Sequence, residues 1–371
     1  MPRERLILIV LLTVAFAAWL VALQPREELR IDFGKQPGPA KPEAFSNLPM
    51  ATTNNAVAVL KVGEVDYLYS FSGLGAGKER TDIHSRAFAV NLDNGNIEVM
   101  GLLPGGRDRL ASIAVGLFDR VFVIGGYTVG EDGSEVSTPE VLSFNPKERS
   151  YKVRAAMPLS VDDTVAFSYA NRYIYLVSGW HDDGNVSNVQ VFDSWEDRWF
   201  EATPYPGAPV FGHAGGIVAN RFVIADGVKL LGHDEEGRRQ FGISAEAYLG
   251  IIDEDDPASI RWQALSAHPG PPLYRMAATG SKARGQIVFA GGSPNPYNYN
   301  GMGYNGQPSE PSAAVFAFDP ATGSWIDLGA KPVASMDHRG LLEASGAFYT
   351  IGGMLAGQVV TGKVLRFELP D

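Results

Sequence analysis

Six proline-led units repeat along the chain, and they constrain its fold more than any other feature. Each unit opens at a proline after a short turn: Pro49, Pro104, Pro158, Pro206, Pro269 and Pro332, spaced 55, 54, 48, 63 and 63 residues apart. Seven residues before the later five prolines stands a bulky residue: Ile97, Tyr151, Trp199, Trp262 and Trp325. Each unit also holds an apolar run that stops at small residues, and three runs stop at a Gly-Gly doublet (Gly125-Gly126, Gly291-Gly292, Gly352-Gly353). Glycine there permits positive φ and close backbone approach. The unit from Met157 to Pro206 shows the plan most fully. Its runs Thr164–Tyr169, Tyr173–Val177, Asn188–Phe192 and Arg198–Ala202 are separated by turns and read as four short strands of one antiparallel sheet. Such a sheet cannot bury both its faces alone, so the copies must stack.

The doublet followed at fixed spacing by a tyrosine or tryptophan resembles the kelch repeat, over about Pro42 to Asp371. The resemblance implies an all-β fold, a six-bladed kelch-type β-propeller. The sixth unit stops after its third run, Gly362–Leu369, and Pro42–Leu48 matches the missing strand in phase, Phe45 falling where Leu265 and Leu328 fall in theirs. The expected propeller is therefore closed by an N-terminal strand that completes the sixth sheet, and closure removes reactive sheet edges.

Composition narrows the partners. The net charge is −11 and the pI about 5.1, with no basic stripe, which excludes a nucleic-acid backbone as partner. The chain has no cysteine, so disulfides, thiolate metal sites and a lipoprotein anchor are excluded. Ahead of the repeats, Arg3 and Arg5 precede 18 uncharged residues, Leu6–Leu23. That run suits a hydrophobic helix that acts as an uncleaved signal-anchor. A cleaved signal is the alternative, through Ala15-Phe16-Ala17. The domain plan is thus 1–23 signal-anchor or signal peptide, 24–41 proline-containing linker, and 42–371 propeller. It implies a periplasmic or extracytoplasmic protein of the cell envelope, tethered to the inner membrane by residues 6–23.

In a propeller the loops entering the innermost strands ring the central channel. The residues there are Asn54-Asn55, Arg107-Asp108-Arg109, Asp162-Asp163, Phe211-Gly212-His213, Tyr274-Arg275 and Asp337-His338-Arg339. They either cap strand ends or form a polar pocket of mixed sign. A pocket of that kind suits a small, oxygen-rich ligand, because guanidinium matches carboxylate and Tyr274 or Phe211 can stack on a sugar. Two long loops, Leu230–Ile243 and Ser293–Ser312, are placed over the same mouth, and the second carries Tyr297, Tyr299 and Tyr304 among asparagines and glycines. Its composition suits carbohydrate contact, a packed loop or a disordered insertion alike. Gly73–Lys78 falls a residue short of a phosphate loop, and His181-Asp182-Asp183 reads as a turn rather than a cation site.

Three further stretches, Gly105–Gly126, Ser143–Tyr151 and Val288–Gly292 with its Asn/Tyr/Gly loop, together with Arg339 and Ile351–Gly353, are similar to the bacterial N-acetylneuraminate epimerase (sialic acid mutarotase) family. That resemblance implies a cofactor-independent isomerase of a small acidic sugar, needing no metal or organic cofactor. The substrate would be bound by Arg109, Tyr274, Arg275, His338, Arg339 and Tyr299, with Asp226, Asp163 or His213 as proton carriers. The family's glutamate aligns with Gly227 here, and Asp226, one residue earlier, points to the opposite face of its strand. The competing expectation is a non-catalytic module that binds a protein or peptide at the propeller mouth.

Overall fold

The protein is described by a computed structural model covering residues 44–105 and 108–370. The proposed anchor and linker, and Arg107, lie outside the described residues. Among the described residues no helix is long and apolar enough to cross a membrane. The only helical turns there are two short 3-10 segments, Arg80–Asp82 and Ala356–Gln358.

Six four-stranded sheets follow one another around an axis. In the third blade Val165–Tyr169 is innermost and pairs antiparallel with Tyr173–Val177. The next strands outward are Val189–Asp193 and Arg198–Ala202. The other innermost strands are Ala56–Val62, Ile113–Leu117, Ala214–Val218, Ala277–Ser281 and Leu342–Ala344. Alternation of apolar residues on both faces makes each blade a slab that packs against its two neighbours. Accordingly a separate hydrophobic core fills each blade junction, from the Tyr69–Phe144 cluster between blades 1 and 2 to the Leu68–Tyr349 cluster between blades 6 and 1.

The sixth sheet has the order expected from the phase argument. Leu342–Ala344, Ala347–Ile351 and Lys363–Phe367 come from the end of the chain, and Ala44–Asn47 forms the outer strand. Phe45 meets Tyr349 edge-on, with ring centroids 5.6 Å apart. The recurring tryptophans work at the wedges between blades. Trp199, Trp262 and Trp325 each donate their indole N–H to a carbonyl at the exit of the preceding blade: Ala155, Thr203 and Ser266 respectively. An aromatic body with one polar tip suits such a half-covered position.

Candidate functional site

Two residues before the regular inner strand, or a few more in blade 6, every blade places one residue in the left-handed region. These are Asn54, Ala111, Asp163, Gly212, Arg275 and Asp337, with φ between 49° and 68°. The turn brings them into a ring around the axis. Asp163 N donates to Ala111 O (3.2 Å), Gly212 N to Asp163 O (2.8 Å), Arg275 N to Gly212 O (2.8 Å), and His338 N to Arg275 O (3.2 Å). Between blades 1 and 2 a side chain takes over, Ala111 N donating to Asn54 Oδ1 (2.6 Å). The small-residue stops of the sequence serve this ring. A Cβ on Gly126 would lie 2.5 Å from Leu110 O, and one on Gly353 2.7 Å from Met336 O. Glycine at that second-strand end lets the backbone reach the ring.

The ring's charged side chains bind one another. Arg275 binds Asp163 through Nη2 and Nε and reaches Asp337 through Nη1 at 2.9 Å. Arg339 Nη2 lies 3.0 Å from Asp163 Oδ1 and donates to Asn54 Oδ1 at 2.9 Å. Thr53 Oγ1 donates to Asp337 Oδ2 at 2.5 Å. Two carboxylates thus balance two guanidiniums, all four residues 8% exposed or less. Burial pushes the Asp163 carboxyl up, but Arg275 and Arg339 outweigh it and hold it below the usual carboxylate range.

One side of the ring is covered by aromatic rings. Tyr274 and Tyr297 are fully buried, their centroids 5.1 Å apart, and the Arg275 guanidinium carbon lies 4.7 and 5.3 Å from them. Trp180, Phe211, Met336 and Met354 complete that layer. The long loop of blade 5 belongs to it: Tyr297 enters the core, Tyr304 packs on Phe241 at 4.4 Å, and half-buried Tyr299 covers the Leu74–Leu110–Tyr127 cluster. The loop is packed, and the mouth expected to be an open polar pocket is filled.

On the other side the channel is open. A cavity of about 440 Å³ runs along the inner strands, with Asp163, His213, His338 and Arg339 at its closed end. His213 Nε2 donates to Val177 O at 2.8 Å, so its Nδ1 carries the lone pair; burial lowers its pKa to about 4. His338 contacts Ser335 Oγ through Nε2 at 2.7 Å, and burial, then Lys331 and Arg339, keep it neutral.

Of the nine substrate-binding and proton-carrying candidates from sequence, Asp163, Arg275, Arg339, His213, His338 and Tyr274 gather at this ring. Three do not: Tyr299, which covers the Leu74–Leu110–Tyr127 cluster, Arg109 and Asp226. Arg109 is fully buried away from the ring, paired with Glu140 and donating to Gly125 O at 3.3 Å. Asp226 lies between blades 4 and 5, where Oδ2 accepts from His268 Nε2 (2.8 Å) and Leu273 N (2.7 Å). His268 Nδ1 contacts Pro269 O at 2.8 Å, and its ring stacks on Phe316 at 4.2 Å. Asp226 thus joins two blades. Asp226→Asn is expected to cost about 1.5–3 kcal/mol in stability, as loss of a hydrogen bond to a charged group does, measured by chemical denaturation. A variant as stable as the parent would show that the bond contributes nothing. Asn54 and Asp337, expected at the channel mouth but given no substrate or proton role, complete the ring network with Thr53, which was not among the sequence candidates. Their signal was position alone, just before each inner strand.

No protein-family model matches the chain. It is 28% identical over 257 residues to human Kelch-like protein 15, covering 68% of this chain and 39% of that protein. To the chicken protein of that name it is 29% identical over 108 residues, 29% of this chain and 22% of that one. The chain therefore spans well under half the length of these relatives. Among solved structures, that of YjhT superposes with a TM-score of 0.67 at 15% identity, over 88% of this chain and 97% of that one. That likeness is one of fold, a six-bladed propeller, and the matches to the Kelch-like proteins support a kelch-type repeat.

Proposed function

We propose that this propeller is a non-catalytic interaction module that binds a protein or peptide partner. The closure of Asp163, Arg275, Asp337 and Arg339 on one another beneath buried Tyr274 and Tyr297 carries this reading. A sugar acid needs an unpaired cation for its carboxylate and a proton acceptor beside it. Each ring guanidinium already faces carboxylate. Asp163, held below the usual carboxylate range, is a weak base, and Asp226 is bound to His268 elsewhere. With residues 6–23 as export signal or anchor, the module would act in the cell envelope.

Saturation-transfer NMR of the full chain with N-acetylneuraminate tests the reading. Neither saturation of the sugar nor α/β anomer exchange above the buffer rate is expected. Accelerated exchange would overturn it in favour of a mutarotase.

A further inference from the structure

The channel opens on the face opposite the filled mouth, among the hairpins that join first and second strands. Its walls are six innermost strands, each paired within its sheet on one side only; on the free edge Ala278 O is already taken by Leu341 N at 3.0 Å. An edge strand leaves alternate backbone N–H and C=O groups unpaired, and here those of six strands point toward one axis. Glycines keep the bore narrow: a Cβ on Gly116 would sit 2.2 Å from Val59 O, and one on Gly280 only 1.7 Å from Ile217 O. A five-residue strand spans ~16 Å, so a volume near 440 Å³ corresponds to a bore about 6 Å across. That is comparable with the ~5 Å spacing of neighbouring extended strands.

Charge and surface chemistry narrow the occupant. The Asp163–Arg339 pair at the closed end carries no net charge, and Lys282 and Glu343 at the rim are of opposite sign. Phe167 is the one Phe, Tyr or Trp among the lining residues, and its ring lies 4.6 Å from Phe222 in the core between blades 3 and 4; the His213 and His338 imidazoles are held by Val177 O and Ser335 Oγ at the closed end. The bore therefore offers no flat face for a sugar. It offers backbone donors and acceptors in alternation.

We propose that the channel takes an extended, uncharged peptide segment with small side chains, inserted from the inner-hairpin face and bound through backbone groups of the inner strands. The proposal rests on the interaction-module reading and adds the place and chemistry of binding. An uncharged, extended segment loses little solvation on entering a neutral bore and can pair its own N–H and C=O groups with the strand edges.

The absence of cysteine supplies the test. Two single-cysteine variants of the full chain are made: Ser168→Cys, lining the channel, and Met302→Cys, 40% exposed on the opposite face. The probes are linear dodecapeptides selected from a random display library against the full chain. Saturating peptide is expected to slow maleimide labelling of the Ser168→Cys thiol at least tenfold and to leave Met302→Cys labelling unchanged. Thr279→Cys, also in the channel, replaces the first variant should that one not fold. Protection confined to Met302→Cys, or of neither thiol, overturns the channel assignment while the module reading stands. A library that yields no binder overturns both. Protection of the channel thiol by chitotriose, with none by peptide, overturns the peptide class.

Discussion

Asp163→Asn is expected to destabilise the propeller by about 3–5 kcal/mol, the cost of breaking a buried ion pair and leaving its partner uncompensated. Arg275 and Arg339 share Asp163, and its removal leaves two buried guanidiniums facing the single carboxylate of Asp337. The asparagine keeps the volume and one acceptor, so the loss reports charge rather than packing. Urea denaturation at neutral pH measures it. Glu98→Gln is the control, because Glu98 pairs with exposed Arg149 and such surface pairs contribute below ~1 kcal/mol. The double variant Asp163→Asn/Arg339→Gln is expected to recover part of the loss, since it restores the balance of one cation to one anion. A single-variant loss no larger than the Glu98→Gln control would mean the ring is not holding the blades together.

The propeller is expected to lose stability steeply as pH falls from about 6.5 to 4. Burial lowers His84 and His213 to about 4 and His338 well below its usual value. His84 is fixed as the neutral tautomer, its Nδ1 accepting from Arg86 N (3.3 Å) and its Nε2 facing Thr52 Oγ1 (3.0 Å). The unfolded chain takes up these protons below about 6.5 and the folded chain does not, so the unfolded state gains across that window. With one pKa unit equal to about 1.4 kcal/mol, a histidine lowered to about 4 contributes a loss of ~3 kcal/mol once pH reaches that value. The Asp226–His268 pair acts the other way. Burial raises Asp226, and its hydrogen bond to Asp226 raises His268 against the desolvation that lowers it. The folded state therefore holds that proton more tightly, and the pair's contribution is lost as pH rises past the histidine's folded value. Asp162 and Glu135, whose carboxyls burial also raises, act in the same direction as this pair, and the expected net change is that of the three lowered histidines. Urea midpoints at pH 4.5 and pH 7.5 decide the matter, with His213→Gln expected to flatten the dependence by one proton. Equal midpoints in the parent at both pH values would contradict the buried, neutral histidines.

The repeat, the strand order and the closing strand were legible because they follow from local pattern. Gly-rich stops recur where a Cβ would strike the ring backbone, and tryptophans recur where an indole fills a wedge. Phe45 revealed the closing strand because phase within a blade is a local property too. The positions of the ring residues were equally legible, since each precedes an inner strand.

Their partners were not. Arg275 meets Asp163 across 112 residues and Thr53 meets Asp337 across 284. Only closure of the circle decides whether those side chains face a ligand or one another. Arg109 illustrates the limit from the other direction: it stands two residues before Ala111, the ring position of its blade, and that offset sends its side chain to Glu140. Asp226 could be read as a base from its strand, but His268, 42 residues on, reaches it only when blade 5 packs against blade 4. The chain's own order determined six blades and the side on which their charged residues gather. Tertiary packing decided that those charges neutralise one another, that Tyr297 covers them, and that the open end of the channel is the opposite one, because charge pairing and burial depend on distances that only the closed ring sets.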